Sequence, residues 1–343
     1  MRKLILKNMQ SPGDIVMLTA AVRDLHKTCP GAFVTDVRTP SPGLWENNPW
    51  ITKMADDEPG VELIECHYPL IHRSNQTPVH FLQGFTDFLS EKLGVAIQPT
   101  EFRGDIHLSD KEKSWMSQVQ EIVGVRVPFW IIVSGGKYDF TAKWWDPDRY
   151  QQVVDAFAGR VLFVQVGERR HYQPPLHNVI DLRGKTSIRQ LVRLVHHAQG
   201  VLCGVTFPMH LAAAVPVRGK PKNRPCVVVA GGREPPHWEA YPHHQFIHTV
   251  GSLKCCDHGG CWRARAVPLG DGDKKDLPES LCVDPVGKLP RCMDMITAAD
   301  VTRRIEMYFR GGAIAELTPD EAIAAQKAID KSNAANMAAA AYG

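Results

Sequence analysis

Short apolar runs alternate with segments of helical period along most of this chain. Residues 3–7 (Lys-Leu-Ile-Leu-Lys) read as a buried strand. A loop of turn formers at 10–14 follows, and Ile15, Leu18, Val22 and Leu25 then fall on one face of a helix over 15–27. Pro30-Gly31 stops it, and 32–37 is the next strand. Strand, loop, helix and strand in that order are the unit of a parallel sheet. The spacing predicts a strand at 61–66, helices over 79–93 and 109–123, and a strongly apolar strand at 127–133. The rhythm then repeats: helix 147–157, strand 161–166, helix 187–198, strand 200–204, helix 208–215, strand 226–230 and helix 297–310. The Ala-rich tail reads as helical near 318–331 and frayed beyond.

Length turns this pattern into a domain expectation. A chain of 343 residues exceeds the ~250–300 at which a single core stops growing, so two packed domains are expected, with the boundary near 125. The expected division is two Rossmann-like domains, 1–125 and 126–312, a pairing that suits an enzyme binding a nucleotide in one half and an acceptor in the other, with a tail over 313–343. Lys and Arg (40) nearly balance Asp and Glu (37), which argues against a nucleic-acid binder. No apolar run reaches the ~18 residues of a membrane span. Lys7 interrupts the first apolar run too early for a signal peptide, so a cytoplasmic location is expected, where disulfides are rare.

In doubly wound sheets, ligands bind at the carboxyl ends of strands. That directs attention to the loops at 10–14, 134–143, 167–170, 204–210 and 231–238. Asp14 sits between the first strand and helix, where it serves either as a helix cap or as a general base. Lys143, after a Gly-Gly loop, is either solvated or a phosphate ligand. Thr206, Phe207, Pro208, Met209 and His210 form a strand-to-helix junction whose hydroxyl and N–H groups could cradle a phosphate; His210 could equally be a core histidine. Gly231-Gly232 lets Arg233 and Glu234 reach a ligand or pair with each other.

Taken together, these segments resemble the bacterial ADP-heptose transferases, glycosyltransferase family 9. Gly13-Asp14, Leu18-Thr-Ala-Ala-Val-Arg-Asp-Leu and Asn48-Pro49 are similar to that family's N-terminal half. Lys143-Trp-Trp-Asp-Pro, Phe163-Val-Gln-Val-Gly167, Leu182-Arg-Gly-Lys-Thr-Ser-Ile and Met209-His-Leu-Ala-Ala-Ala are similar to its C-terminal half, in the same order. The resemblance implies a GT-B fold, an α/β class with two Rossmann-like doubly wound domains facing a central cleft. It implies an inverting transfer of a sugar, heptose above all, from a nucleotide-sugar donor to a hydroxyl of a protein serine or glycan acceptor. By resemblance Asp14 is the catalytic base, Lys143 neutralises the donor diphosphate, and Thr206 to His210 bind phosphate. Gly167, Arg233 and Glu234 complete the expected donor site, and no catalytic metal is required. The chain departs from the family pattern at Val205-Thr206-Phe207, where Asp-Thr/Ser-Gly is usual. That departure motivates an alternative, a non-catalytic nucleotide-sugar-binding or scaffold protein.

Five of nine cysteines fall between 255 and 292. Their pattern resembles the metal-binding finger of autotransporter protein O-heptosyltransferases, which hold iron through four cysteines. Soft thiolates suit iron or zinc. The expected ligands of a structural ion are Cys256, Cys261, Cys282 and Cys292, with Cys255 or His258 as substitutes; free or partly bridged thiols are the alternative. A homo-oligomer is also possible on this reading, with the tail as a packing helix.

Overall fold

The computed structural model describes residues 1–67, 70–219 and 222–341. The chain folds into two compact units. One comprises Met1–Trp115, His210–Pro216 and His237–Tyr241; the other comprises Met116–Met209, Val217–Pro236 and Pro242–Gly343.

The first unit is built on three parallel strands, β1 (Arg2–Lys7), β2 (Phe33–Arg38) and β3 (Val61–Glu65), in the order β2-β1-β3. Helix α1 (Pro12–Thr28) joins β1 to β2. It begins where expected because Ser11 is the N-cap and Pro12, lacking an N–H, suits the first helical position. Twelve consecutive residues of α1, Asp14 to Leu25, are buried. Helix α2 (Phe81–Leu93) packs on α1 and ends at Gly94, whose φ of 68° is the left-handed conformation a C-cap favours.

The helix expected over 109–123 is two helices, α3 (Asp110–Ser114) and α4 (Gln118–Val123). Trp115 is extended (φ −64°, ψ 146°), and Ser117 recaps the chain by accepting from the N–H of Gln120. A second serine cap thus competes with continuation of the first helix.

The second unit holds a six-stranded parallel sheet. Its strands are β4 (Phe129–Ile132), β5 (Leu162–Gln165), β6 (Ile180–Asp181), β7 (Gly200–Gly204), β8 (Cys226–Gly231) and β9 (Gln245–His248), in the order β6-β5-β4-β7-β8-β9. Helices α5 (Pro147–Ala156), α6 (Ile188–His197), α7 (Phe207–Ala214) and α8 (Pro236–Glu239) lie between them in sequence. The order reverses between β4 and β7, the switch point where such sheets form their crevice.

The core of this unit gathers Trp130, Trp145, Tyr150, Phe157, Phe163 and Met293 among others. Gly200 stands opposite Trp130 in the sheet, and a Cβ there would lie 2.2 Å from the indole. A small two-stranded ribbon, β10 (Pro285–Val286) with β11 (Leu289–Pro290), precedes helices α9 (Arg291–Asp294) and α10 (Ala298–Arg310). The tail does not end its helix near 331: α11 runs Pro319–Ala341, sustained by alanine's high helix propensity. No helix among the described residues is long and apolar enough to cross a membrane.

Candidate functional site

In the first unit, β1 delivers the chain to Asn8, and the turn that follows places Asp14 in the first turn of α1. Asp14 is buried, and its Oδ2 accepts the backbone N–H of Ser11 at 2.9 Å. Ser11 is the cap and Asp14 the third helical residue, so the reading of Asp14 as N-cap is corrected. Its carboxylate satisfies an N-terminal donor and lies at the positive end of the helix dipole.

His210 lies in the same unit and is buried. Its Nδ1 is 3.0 Å from the Tyr241 hydroxyl and its Nε2 is 3.5 Å from Glu239. The Tyr241 hydroxyl in turn lies 3.6 Å from the Met17 sulfur. Here the imidazole is spent on protein partners, as a core histidine is.

In the second unit, Lys143 ends a 3-10 helix (Tyr138–Lys143) after β4, while Arg233 and Glu234 follow β8. The fold brings the three together. The Lys143 ammonium lies 2.7 Å from Glu234 Oε1, and the Arg233 guanidinium bonds the same oxygen. Arg233 also donates to the Arg263 carbonyl at 2.6 Å and lies over the rings of Phe140 and Trp262. Burial alone would raise the Glu234 pKa, but the Lys143 and Arg233 charges override it and hold the carboxyl below its usual range. Two cations on one carboxylate leave one net positive charge at the strand ends. The expected Arg233–Glu234 pair therefore exists; that Lys143 shares it was not legible, because the two segments are ninety residues apart.

Thr206 opens α7 by accepting the Met209 N–H at 3.0 Å through its carbonyl. Its hydroxyl is buried with no partner among the described residues. Phe207 is half-buried, and Pro208 and Met209 are buried behind it. Gly167, at the end of β5, accepts the Gly184 N–H at 2.7 Å, and a Cβ there would meet Gln173 at 2.5 Å. A buried network escaped sequence reasoning: the Gln165 side-chain amide donates to Ser134 Oγ (2.8 Å) and the Pro174 carbonyl (2.6 Å), pinning the loop after β5 to the end of β4.

Cys255, Cys256, Cys261, Cys282 and Cys292 all border one cavity in this unit. None is disulfide-bonded. Burial, reinforced by the neighbouring thiols, raises Cys255 to about 11 and Cys292 to about 12. The convergence of five soft donors fits iron or zinc in kind, yet no group of three or more His, Cys, Asp or Glu among the described residues takes an ion-holding arrangement. His258, proposed as a substitute ligand, is 96% exposed beside Asp257.

Parallel-sheet units with a buried carboxylate after the first strand and clustered cations after later ones give an α/β fold of the GT-B type. Comparison with known proteins agrees. The model of glycosyltransferase family 9 (heptosyltransferase) matches residues 71–256, more than half of the chain, and the chain belongs to that family. It is a glycosyltransferase. No curated protein sequence matches it.

Among solved structures, a family 9 glycosyl transferase from Veillonella parvula is 15% identical (TM-score 0.55), covering 76% of this chain and 92% of that one. The ADP-heptose lps heptosyltransferase II of E. coli is also 15% identical (0.54), covering 92% and 100%. The iron-containing dodecameric glycosyltransferase TibC of enterotoxigenic E. coli is 17% identical (0.58), covering 90% and 78%. At these identities the likenesses establish the fold.

Proposed function

We propose that this enzyme transfers a heptose from ADP-heptose to a hydroxyl of a protein serine or a glycan, with inversion at the anomeric carbon. The observation that carries the reading is the Lys143–Glu234–Arg233 cluster at the strand ends, whose net positive charge suits a diphosphate. The known complex of TibC with ADP-D-beta-D-heptose supports the choice of donor.

In the proposed reaction Asp14 takes the proton from the acceptor hydroxyl as its oxygen attacks. The bond from the anomeric carbon to phosphate breaks on the opposite side, and ADP leaves with the electron pair. Lys143 and Arg233 balance the charge that grows on the leaving diphosphate. The Thr206 hydroxyl and the Phe207 N–H at the start of α7 orient it, with the Phe207 ring and Gly167 bordering the donor. On this reading residues 1–125 serve the acceptor, 126–312 the donor, and the protein works in the cytoplasm.

The cavity cysteines (Cys256, Cys261, Cys282 and Cys292, with Cys255 as substitute) would hold a structural iron or zinc that folds the 255–292 segment. The dodecameric, iron-containing TibC supports both the metal and a homo-oligomer. Incubation with ADP-heptose and candidate acceptors, followed by mass spectrometry, tests the chemistry. Asp14→Asn is expected to slow transfer by about 10²–10⁴-fold with ADP affinity intact; unchanged turnover would remove Asp14 as the base.

A further inference from the structure

Three aromatic side chains form a cluster in the second unit that the proposed chemistry leaves unused. Trp144 and Tyr172 stack with ring centroids 4.2 Å apart and planes 21° from parallel. Tyr138 meets Trp144 edge-on at 5.5 Å and Tyr172 at 6.4 Å. The cluster stands at the carboxyl ends of neighbouring strands, in the loops after β4 and β5, where parallel sheets bind ligands.

It is also rigidly mounted. Gly136 and Tyr172 exchange backbone hydrogen bonds of 2.9 and 3.1 Å, which ties the two loops together. A Cβ on Gly135 would fall 1.9 Å from the Tyr172 carbonyl, so the glycine permits that close approach. The Trp144–Tyr172 stack accounts for loop packing without Tyr138, which remains 47% exposed. The Trp144 indole nitrogen is buried against Gly136, where a Cβ would lie 3.3 Å from it, so the indole is fixed in place. Tyr138 and Lys143 begin and end the same 3-10 helix, so the exposed ring and the diphosphate cation share one support.

We propose that Tyr138, braced by Trp144 and Tyr172, is the stacking platform for the purine base of the donor nucleotide. This rests on the proposed donor reading and adds what selects the base. An aromatic face pays in stacking contact for a flat purine and gives nothing to the phosphates.

Calorimetric titration of the full chain with ADP and with inorganic pyrophosphate tests it. Tyr138→Ala is expected to weaken ADP about 5- to 150-fold, the worth of one base–aromatic stack, with pyrophosphate affinity unchanged. Tyr138→Phe, which keeps the ring, retains ADP affinity. Equal ADP binding by wild type and Tyr138→Ala overturns the platform alone, and so does a loss in Tyr138→Phe matching that in Tyr138→Ala. Wild-type protein that binds neither ligand overturns the donor reading and the platform with it.

Discussion

Replacing Glu234 by Gln removes the one carboxylate that Lys143 and Arg233 share. Glu234 is 3% exposed, and the side chains of Arg233 and Lys143 are 8% and 22% exposed, so the cations it leaves behind are poorly hydrated. Removing one partner of a buried ion pair costs about 3–5 kcal/mol. The lower end applies here, because glutamine keeps the shape and one acceptor oxygen while Lys143 can turn toward water. About 3 kcal/mol lowers Tm by about 6–12 °C for a domain of this size. Differential scanning calorimetry of both proteins at neutral pH measures it.

The pH dependence supplies a second axis. The folded pKa of Glu234 lies below its unfolded value. Its contribution is therefore complete above the unfolded value of about 4.3 and vanishes as pH falls through the lower folded value. The Tm gap between wild type and Glu234→Gln should be constant from neutral pH down to that point and close in stronger acid. A gap under about 2 °C at pH 7, or one that persists unchanged in acid, would refute the clamp.

Other consequences follow from the same geometry. Gly200→Ala would press a methyl into the Trp130 indole and should destabilise by about 1–3 kcal/mol or more, read by urea denaturation. The double variant Cys282→Ser, Cys292→Ser should lose bound iron or zinc in elemental analysis and melt at lower temperature; wild-type protein without either metal would dismiss the structural ion.

Much of the fold was written in local pattern. The apolar runs of β1, β4, β5 and β8 and the capped helix α10 lie within a residue or two of their expected places, because a continuous apolar run or a Thr297 cap acts locally. What local pattern could not carry was pairing at a distance. β6 and β9 are short, and burial patterns in both depend on neighbouring strands. The passage of His210–Pro216 and His237–Tyr241 into the first unit depends on tertiary packing. Ser117 was a visible cap, but the helical character of its flanks masked it. Among site residues, the Arg233–Glu234 pair and the cationic chemistry of Lys143 were legible, and the convergence of Lys143 on that pair was not. The cysteines were legible as a cluster because a soft donor is conspicuous in any loop, whereas Tyr138, Trp144 and Tyr172 carry no signature apart from where the sheet places them.

The proposed transfer depends on binding of an ADP-sugar by the second unit through Lys143. Calorimetric titration of wild type and Lys143→Ala with ADP-heptose, ADP, UDP and GDP tests it most directly. Wild type is expected to bind ADP and ADP-heptose selectively, and Lys143→Ala to bind them at least tenfold more weakly (about 1.4 kcal/mol). Indifference among the three nucleotides, no binding at millimolar concentration (~4 kcal/mol), or full affinity in Lys143→Ala would contradict it.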